Sequence, residues 1–441
     1  MKRPLFVGNC AQLLTLRGPR RPRAGKQMMD LALVPRGAVL IKDGIVQGVD
    51  TERRLSRSPA ARGSRYLDAG GGVVLPGFVD SHTHALFPGP RLDEFVARIR
   101  GASYAEIAES GGGIQASARR MRSASAPALE RHLEKTVRRF LEHGTTTAEV
   151  KSGYGLELSQ ELKMLRAIRK VARSGPFDLV PTLLIHAVPD RFQSKRADYL
   201  RLVTQQLIPR VARAKLAEFG DVFCDRGYFS VDEARDLLGA AARAGLRLKL
   251  HAEQLRHSGA AIMAVGLRAV SVDHLEHLTD SDIKKIRGTR TLMTLLPGTV
   301  LHLGTRLYPP ARRLIDAGIP VALATNFNPG SSPTLNMQMI LSLACSQMRM
   351  TPEEAVTSAT INGAYALGRG HLVGSIEAGK QADVAVMAVS DYREIPYYFG
   401  MNHCAAVIKK GRIVYSKEGG TRLEARGYGK ESDPLPLAHR L

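Results

Sequence analysis

The sequence predicts an α/β chain: a (β/α)8 barrel carrying a small β-sandwich domain whose two parts come from the N- and C-terminal segments. Three observations carry that prediction. Short apolar runs alternate with amphipathic helices from residue 73 to about 370, histidines stand at the ends of four of those runs, and strand character returns towards the C-terminus. With 441 residues and 44% hydrophobic content, the chain can bury a full barrel core and still build a second small domain.

Residues 1–72 read as the first part of the β-sandwich. Ala38-Val39-Leu40-Ile41, the turn signal Lys42-Asp43-Gly44 and then Ile45-Val46 have the pattern of a β meander. The basic run 17–26, with its prolines and glycines, reads as a solvated loop joining the first strands. The barrel, residues 73–370, opens with the apolar run 73–79. Strands follow at 145–150, 179–184, 221–223, 246–250, 269–272, 292–295 and 321–324, with helices at 158–173, 199–214 and 231–244 among them. Residues 371–420 regain strand character at 382–389 and 405–414, as if to pair with the first segment. Residues 421–441 read as a loose tail.

Composition excludes several function classes. Cys10, Cys224, Cys345 and Cys404 are scattered without Cys-x-x-Cys spacing, which suits reduced thiols in a packed interior rather than a disulfide frame. Asn9 and Gln12 interrupt the first apolar stretch and no run is long enough to span a bilayer, so the expectation is a cytoplasmic protein without a membrane partner. The net charge of +22 is spread over most helical segments, and aromatics make up only 5%. That pattern predicts a generally basic surface rather than a nucleic-acid groove.

His82 and His84 form a His-x-His pair directly after the run 73–79. Side chains two apart on a strand point the same way, so two imidazoles at this spacing can grip one metal ion. A lone pair of this kind is most often chance. Here Pro76 and Gly77 mark the strand, Asp80 stands two before His82, and Phe87-Pro88-Gly89-Pro90 opens a loop, which places the pair where barrels keep their chemistry. His186 follows Leu183-Leu184-Ile185, His251 follows Leu248-Lys249-Leu250, and His274 follows Val270-Ser271-Val272-Asp273. One such histidine is usually a satisfied polar residue, whereas the repeated placement points to a site. His132, His143 and His257 fall on helical or loop segments and read as surface residues.

The stretch Pro76-Gly77-Phe78-Val79-Asp80-Ser81-His82-Thr83-His84, the later His251, and Gly374-Ser375-Ile376-Glu377-Ala378-Gly379-Lys380-Gln381-Ala382-Asp383 together resemble the metal-dependent amidohydrolase superfamily. Gly101-Ala102-Ser103-Tyr104, Gly111-Gly112-Gly113-Ile114, Glu149-Val150-Lys151-Ser152-Gly153-Tyr154-Gly155, His251-Ala252-Glu253-Gln254-Leu255, Leu295-Leu296-Pro297-Gly298 and Asn328-Pro329-Gly330-Ser331-Ser332-Pro333 are similar to its branch acting in histidine degradation. The likeness runs from about residue 13 to about residue 415. It implies a metal-dependent TIM barrel with one divalent or trivalent metal ion, Zn or Fe, held by His82, His84, His251 and a fourth group at Asn326.

At that fourth position the superfamily usually places aspartate. The amide of Asn326 is neutral, yet it can donate a carbonyl oxygen to a metal or hydrogen-bond a water, and His274 becomes the better-placed general base. The implied reaction is hydrolysis of the ring amide bond of 4-imidazolone-5-propanoate to N-formimidoyl-L-glutamate, with a homodimer as the implied assembly. His186 is then expected to steady the oxyanion, Gln254 to hold the ring nitrogens, and Arg91 to bind the propionate carboxylate.

The resemblance further implies that Tyr104 and Tyr154 add hydroxyl contacts and that Asn328, Gly330 and Ser331 hold the product's glutamate end, although those three also suit a plain turn. Gly153 and Gly155 let the backbone at Tyr154 approach a ligand closely. The glycines 111–113 lack the Lys-Ser of a phosphate loop and read as a flap over the site. Two alternatives remain open: another cyclic amidohydrolase or a deaminase, and a noncatalytic binder produced by Asn326. Against a deaminase stand the pair Arg91 and Tyr154, which suits a carboxylate-bearing substrate, and Gln254, where deaminases of the superfamily commonly carry glutamate.

Overall fold

The computed structural model describes residues 3–102, 106–107, 111–417 and 423–424. Eight parallel strands follow one another in chain order: Phe78–Asp80, Thr145–Lys151, Asp178–Ile185, Phe219–Cys224, Arg247–Ala252, Ser271–His274, Leu292–Leu295 and Val321–Leu323. The ring closes just beyond the strand ends. Asn326 N donates to His82 O at 3.0 Å, His84 N donates to Phe327 O at 2.9 Å, and Thr83 bridges Phe327 in parallel fashion. Residues that follow the first and last strands are thereby locked together at the mouth.

The apolar run 73–79 is two strands rather than one. Val73–Pro76 lies in a six-stranded sheet, antiparallel to Val384–Met387 and parallel to Gln12–Leu14, while Phe78–Asp80 belongs to the barrel. Gly77 makes the crossing, and only glycine fits there, because a Cβ at this position would lie 2.2 Å from the Thr146 side chain. The run 405–414 is likewise a hairpin, Cys404–Lys409 with Arg412–Ser416, turned at Lys410 and Gly411, both at positive φ.

A second, five-stranded sheet contains Arg65–Asp68, Leu5–Gly8, Gly37–Lys42 and Ile45–Thr51. Leu5, Val7, Val39 and Ile41 from this sheet pack with Val74, Val384, Val386 and Ile408 from the other, so the two chain ends share one core. Its edge strand is Leu423–Glu424, antiparallel to Arg65–Asp68. The expected loose tail therefore has a paired strand at these two residues, and its other residues lie outside the described ones.

Three further expectations are corrected. The loop 17–26 is exposed at residues 17–21 and 26 and half-buried at Pro22, Ala24 and Gly25, but Arg23 is buried: its guanidinium donates to Leu16 O and Pro19 O, and its backbone exchanges hydrogen bonds with Asn362. His132 is half-buried against Phe87, with ring centroids 5.2 Å apart, because its face of the helix Ala126–Glu142 turns towards the loop after the histidine pair. The expected helix 199–214 is interrupted by a π turn, Val203–Leu207, beside Pro209, which has no N–H for the carbonyl four residues back. All four cysteines are free thiols, three of them buried.

Candidate active site

Alternation along the barrel strands sends every second side chain inward. Glu149, Lys151, Asp221, Lys249 and Asp273 meet there and are fully buried. Lys151 Nζ lies 2.7 Å from Asp221 and 2.8 Å from Glu149, and Lys249 Nζ lies 2.9 Å from Glu149. Burial works to lower the Lys151 pKa, but Asp221, Glu149 and Asp273 outweigh it and keep the ammonium charged. Burial opposes ionisation of Asp221 too, and His251 with Lys151 overcomes it, holding that carboxyl well below its ordinary range.

This charged layer orients the histidines above it. His82 Nδ1 lies 2.6 Å from Asp273 and His251 Nδ1 lies 3.0 Å from Asp221. A carboxylate can only accept, so each Nδ1 carries the proton and each Nε2 presents a lone pair. Burial pushes the pKa values of His82, His84 and His251 down, which keeps the rings neutral, the form that binds a metal.

His82 Nε2, His84 Nδ1, His251 Nε2 and Asn326 Oδ1 are all buried without a hydrogen-bond partner among the described residues. Buried polar atoms are rarely left so, and four at one place fit a bound cation. Asn326 Nδ2 donates to Thr299 Oγ1 at 2.9 Å, which fixes the amide with its oxygen as the unpartnered end. Asn326 has φ +51° and His274 φ +86°, left-handed backbone that places strain at the site.

The ring centroids of His82 and His84 are 5.3 Å apart, those of His82 and His251 4.5 Å, and those of His84 and His251 5.5 Å. Ligand atoms of His82, His251 and His274 lie within 4.8 Å of one another, so His274 converges with two of the four expected ligands, and His84 stands outside that group. Its Nδ1 faces Glu276 Oε1 at 3.3 Å.

Above these groups is a cavity of about 390 Å³. His84, His186, His251, His274 and Asn326 line its floor, and Arg91, Tyr154, Gln254, Asn328, Gly330 and Ser331 line its walls. The structure thus gathers most of the expected site, while Tyr104 lies outside the described residues. Arg91 is buried, its Nε donates to Ser117 Oγ at 3.0 Å, and its guanidinium stands 5.7 Å from the Tyr154 ring centroid. Tyr154 is set by its glycines: Gly153 has φ +100°, and a Cβ on Gly155 would meet Glu161 N at 2.5 Å. Asp225 Oδ2 accepts from the backbone N–H groups of Gln254 and Leu255, holding that loop in place. The glycines 111–113 lead into the helix Gly113–Ser123, whose first N–H donates to Glu94.

His186 departs from its expected role. Its Nδ1 meets Gly153 O at 3.1 Å, and burial, with His251 nearby, lowers its pKa to about 3. A carbonyl only accepts, so Nδ1 bears the proton and Nε2 can accept a hydrogen bond but cannot donate one to an oxyanion.

The sequence reading passed over Asp221, Asp273, Thr299, Ser117 and Arg98. For the two aspartates a signal existed: Glu149, Lys151, Asp221, Lys249 and Asp273 are charged residues inside otherwise apolar strands. The others act from helices and loops, where no period reports what a side chain touches.

Residues 73–414 match the model of the amidohydrolase family. The imidazolonepropionase of Geobacillus kaustophilus is 45% identical over 93% of this chain and 98% of its own, and that of Myxococcus xanthus is 44% identical over 94% and 98%. The chain belongs to the amidohydrolase family, in its imidazolonepropionase branch. The match to the family spans the whole barrel and the small-domain strands Val384–Met387 and Cys404–Lys409. Triazine hydrolase from Arthobacter aurescens superposes with a TM-score of 0.71 at 17% identity, covering 96% of this chain and 97% of that one. An adenosine deaminase from Xanthomonas campestris gives a TM-score of 0.69 at 17% identity, covering 93% and 92%. At that identity the two structures share the family's fold with this chain and nothing finer.

Proposed function

We propose that this chain hydrolyses the ring amide bond of 4-imidazolone-5-propanoate to N-formimidoyl-L-glutamate, the reaction its relatives' name denotes. One observation carries the reading: a buried arginine, Arg91, shares a cavity with a cluster of neutral imidazoles that have unpartnered nitrogens. A substrate with a carboxylate at one end and a hydrolysable ring at the other spans those two groups.

We assign one metal ion, Zn or Fe, to His82, His84, His251 and the Asn326 carbonyl oxygen, where it would acidify a water molecule and polarise the scissile carbonyl. His274 takes the proton from the attacking water at Nε2, since its Nδ1 is turned to Glu276. His186 accepts from a ring N–H through Nε2, and Gln254 holds the other ring nitrogen through its amide. Arg91 binds the propionate by its two-pronged guanidinium, beside Tyr154. Asn328, Gly330 and Ser331 receive the glutamate end of the product. Tyr104 belongs to the same proposal by position in the motif. Placement in the cytoplasm and assembly as a homodimer complete it, with Tyr397, Phe399 and Met401, exposed by 75%, 74% and 57%, offering an apolar surface to a second copy.

The test is loss of substrate ultraviolet absorbance with metal-loaded protein, beside Asn326→Asp. The unaltered protein is expected to open the ring, and Asn326→Asp to bind its metal roughly tenfold more tightly, because a carboxylate replaces a neutral oxygen. Ring opening by the aspartate variant alone would reduce the natural chain to a binder.

A further inference from the structure

Arg91 is not the only guanidinium at the carboxylate end of the cavity. Arg98, on the helix Leu92–Ile99, also lines it, and its Nη1 donates to Gly330 O at 3.0 Å. Arg91 approaches the same glycine, so closely that a Cβ built on Gly330 would lie 2.6 Å from Arg91 Nη1. Two guanidiniums therefore bracket one residue of the loop expected to receive the glutamate end.

The charge of Arg91 is also shared. Its Nε is committed to Ser117, and its Nη1 faces Glu94 Oε2 at 3.7 Å. Glu94 lines the cavity as well, so an incoming carboxylate meets an acid beside the first arginine. Arg98 brings a second cation to the same lining.

The helix itself adds a third point. It buries none of its residues, and Leu92 and Ile99 are 65% and 70% exposed. Core packing does not hold Arg98 at the cavity. Polar contacts do, among them Arg98 to Gly330 and Gly113 N to Glu94 Oε1 at 3.0 Å.

Resting on the ring-opening reading above, we propose that Arg98 is a second cation of the carboxylate pocket, a specificity-determining residue that recognises the substrate's propionate together with Arg91. The opposing view is that Arg98 only holds the loop at Gly330. Titration calorimetry with N-formyl-L-glutamate and N-formyl-L-glutamine separates the two, since these probes differ only in the charge at the side-chain end.

The unaltered, metal-loaded protein is expected to prefer the glutamate probe, and Arg98→Gln to cut that preference about tenfold, with Arg98→Lys recovering part of it. A loop-holding role weakens both probes alike. An unchanged ratio in Arg98→Gln therefore overturns the proposal, and Arg98→Met, which keeps the stem and removes the charge, supplies the same reading should Arg98→Gln fail to fold. Ring opening assayed on the same unaltered protein keeps the two ideas apart. Turnover with an unchanged ratio sinks the role of Arg98 alone, whereas no preference for the charged probe in the unaltered protein sinks the carboxylate reading and Arg98 with it.

Discussion

The two ends of the barrel both bury polar side chains and treat them in opposite ways. At the base, Lys409 is fully buried and lies 2.5 Å from Asp383 and 2.7 Å from Asp178, and Glu218 pairs with Arg247 at 2.9 Å and with Arg369 at 2.6 Å. Gln381 donates to both Asp178 and Asp383, so this network ties the third barrel strand to the small sheet. Below the strands, Ala364, Leu367 and Val373 seal the end against Val79, Val180 and Phe219. At the mouth, three imidazole nitrogens and one amide oxygen are buried with no hydrogen-bond partner among the described residues. Polar groups satisfied within the chain hold a fold together. Groups left unsatisfied carry a desolvation cost that water or a ligand relieves. Thr145, Thr146 and Thr147 are single hydroxyls of that kind on one barrel strand, whereas the mouth gathers imidazole nitrogens and an amide oxygen from three strand ends.

The largest effect that would sharpen the contrast is at the mouth. His251→Ala removes a lone pair aimed at the cation, and ring opening is expected to fall by roughly 10³-fold or more with loss of metal by elemental analysis. The metal-free variant should melt only modestly below the metal-free parent, because Nε2 bonds to nothing among the described residues and the hydrogen bond lost is the one from Nδ1 to Asp221, worth about 1–3 kcal/mol. A large stability loss there would break the comparison.

Next comes the base. Lys409→Met leaves Asp178 and Asp383 without their shared cation, and removing one partner of a buried pair costs about 3–5 kcal/mol. Denaturant unfolding should register that loss while metal stoichiometry stays at the parent value. A change in metal content instead would mean that the base and the mouth are coupled through the barrel.

Asp273→Asn probes the layer between them. The amide cannot hold the His82 Nδ1 proton as the carboxylate does, and metal affinity is expected to fall about 10–100-fold by competition with a chelator. This residue shows where sequence reading stops. His82, His84, His186, His251 and His274 were legible because each closes an apolar run, and the barrel was legible because those runs alternate with helices of the right period. The pairing of His82 with Asp273 spans 191 residues, and that of Asn362 with Arg23 spans 339, so no local pattern carries either one. The division of the run 73–79 was hidden for a related reason: both sheets bury both faces of their strands there, and only the Thr146 side chain beneath Gly77 shows where one ends.

The smallest effect concerns pH at the base. Burial raises the Asp178 pKa, but Lys409, Lys410 and Gln381 outweigh it and hold the carboxyl below its ordinary value. A group with a depressed native pKa stabilises the fold above its unfolded value, and that stability disappears as the pH falls through the native one. The parent should therefore lose melting temperature on acidification below about pH 4, the ordinary carboxylate range. Asp178→Asn should start lower at neutral pH and show a shallower acid limb, since its amide has no proton to gain. An acid limb as steep as the parent's would place the titrating groups elsewhere, in the buried carboxylates of the barrel interior, and move the pH sensitivity of this fold from its base towards its site.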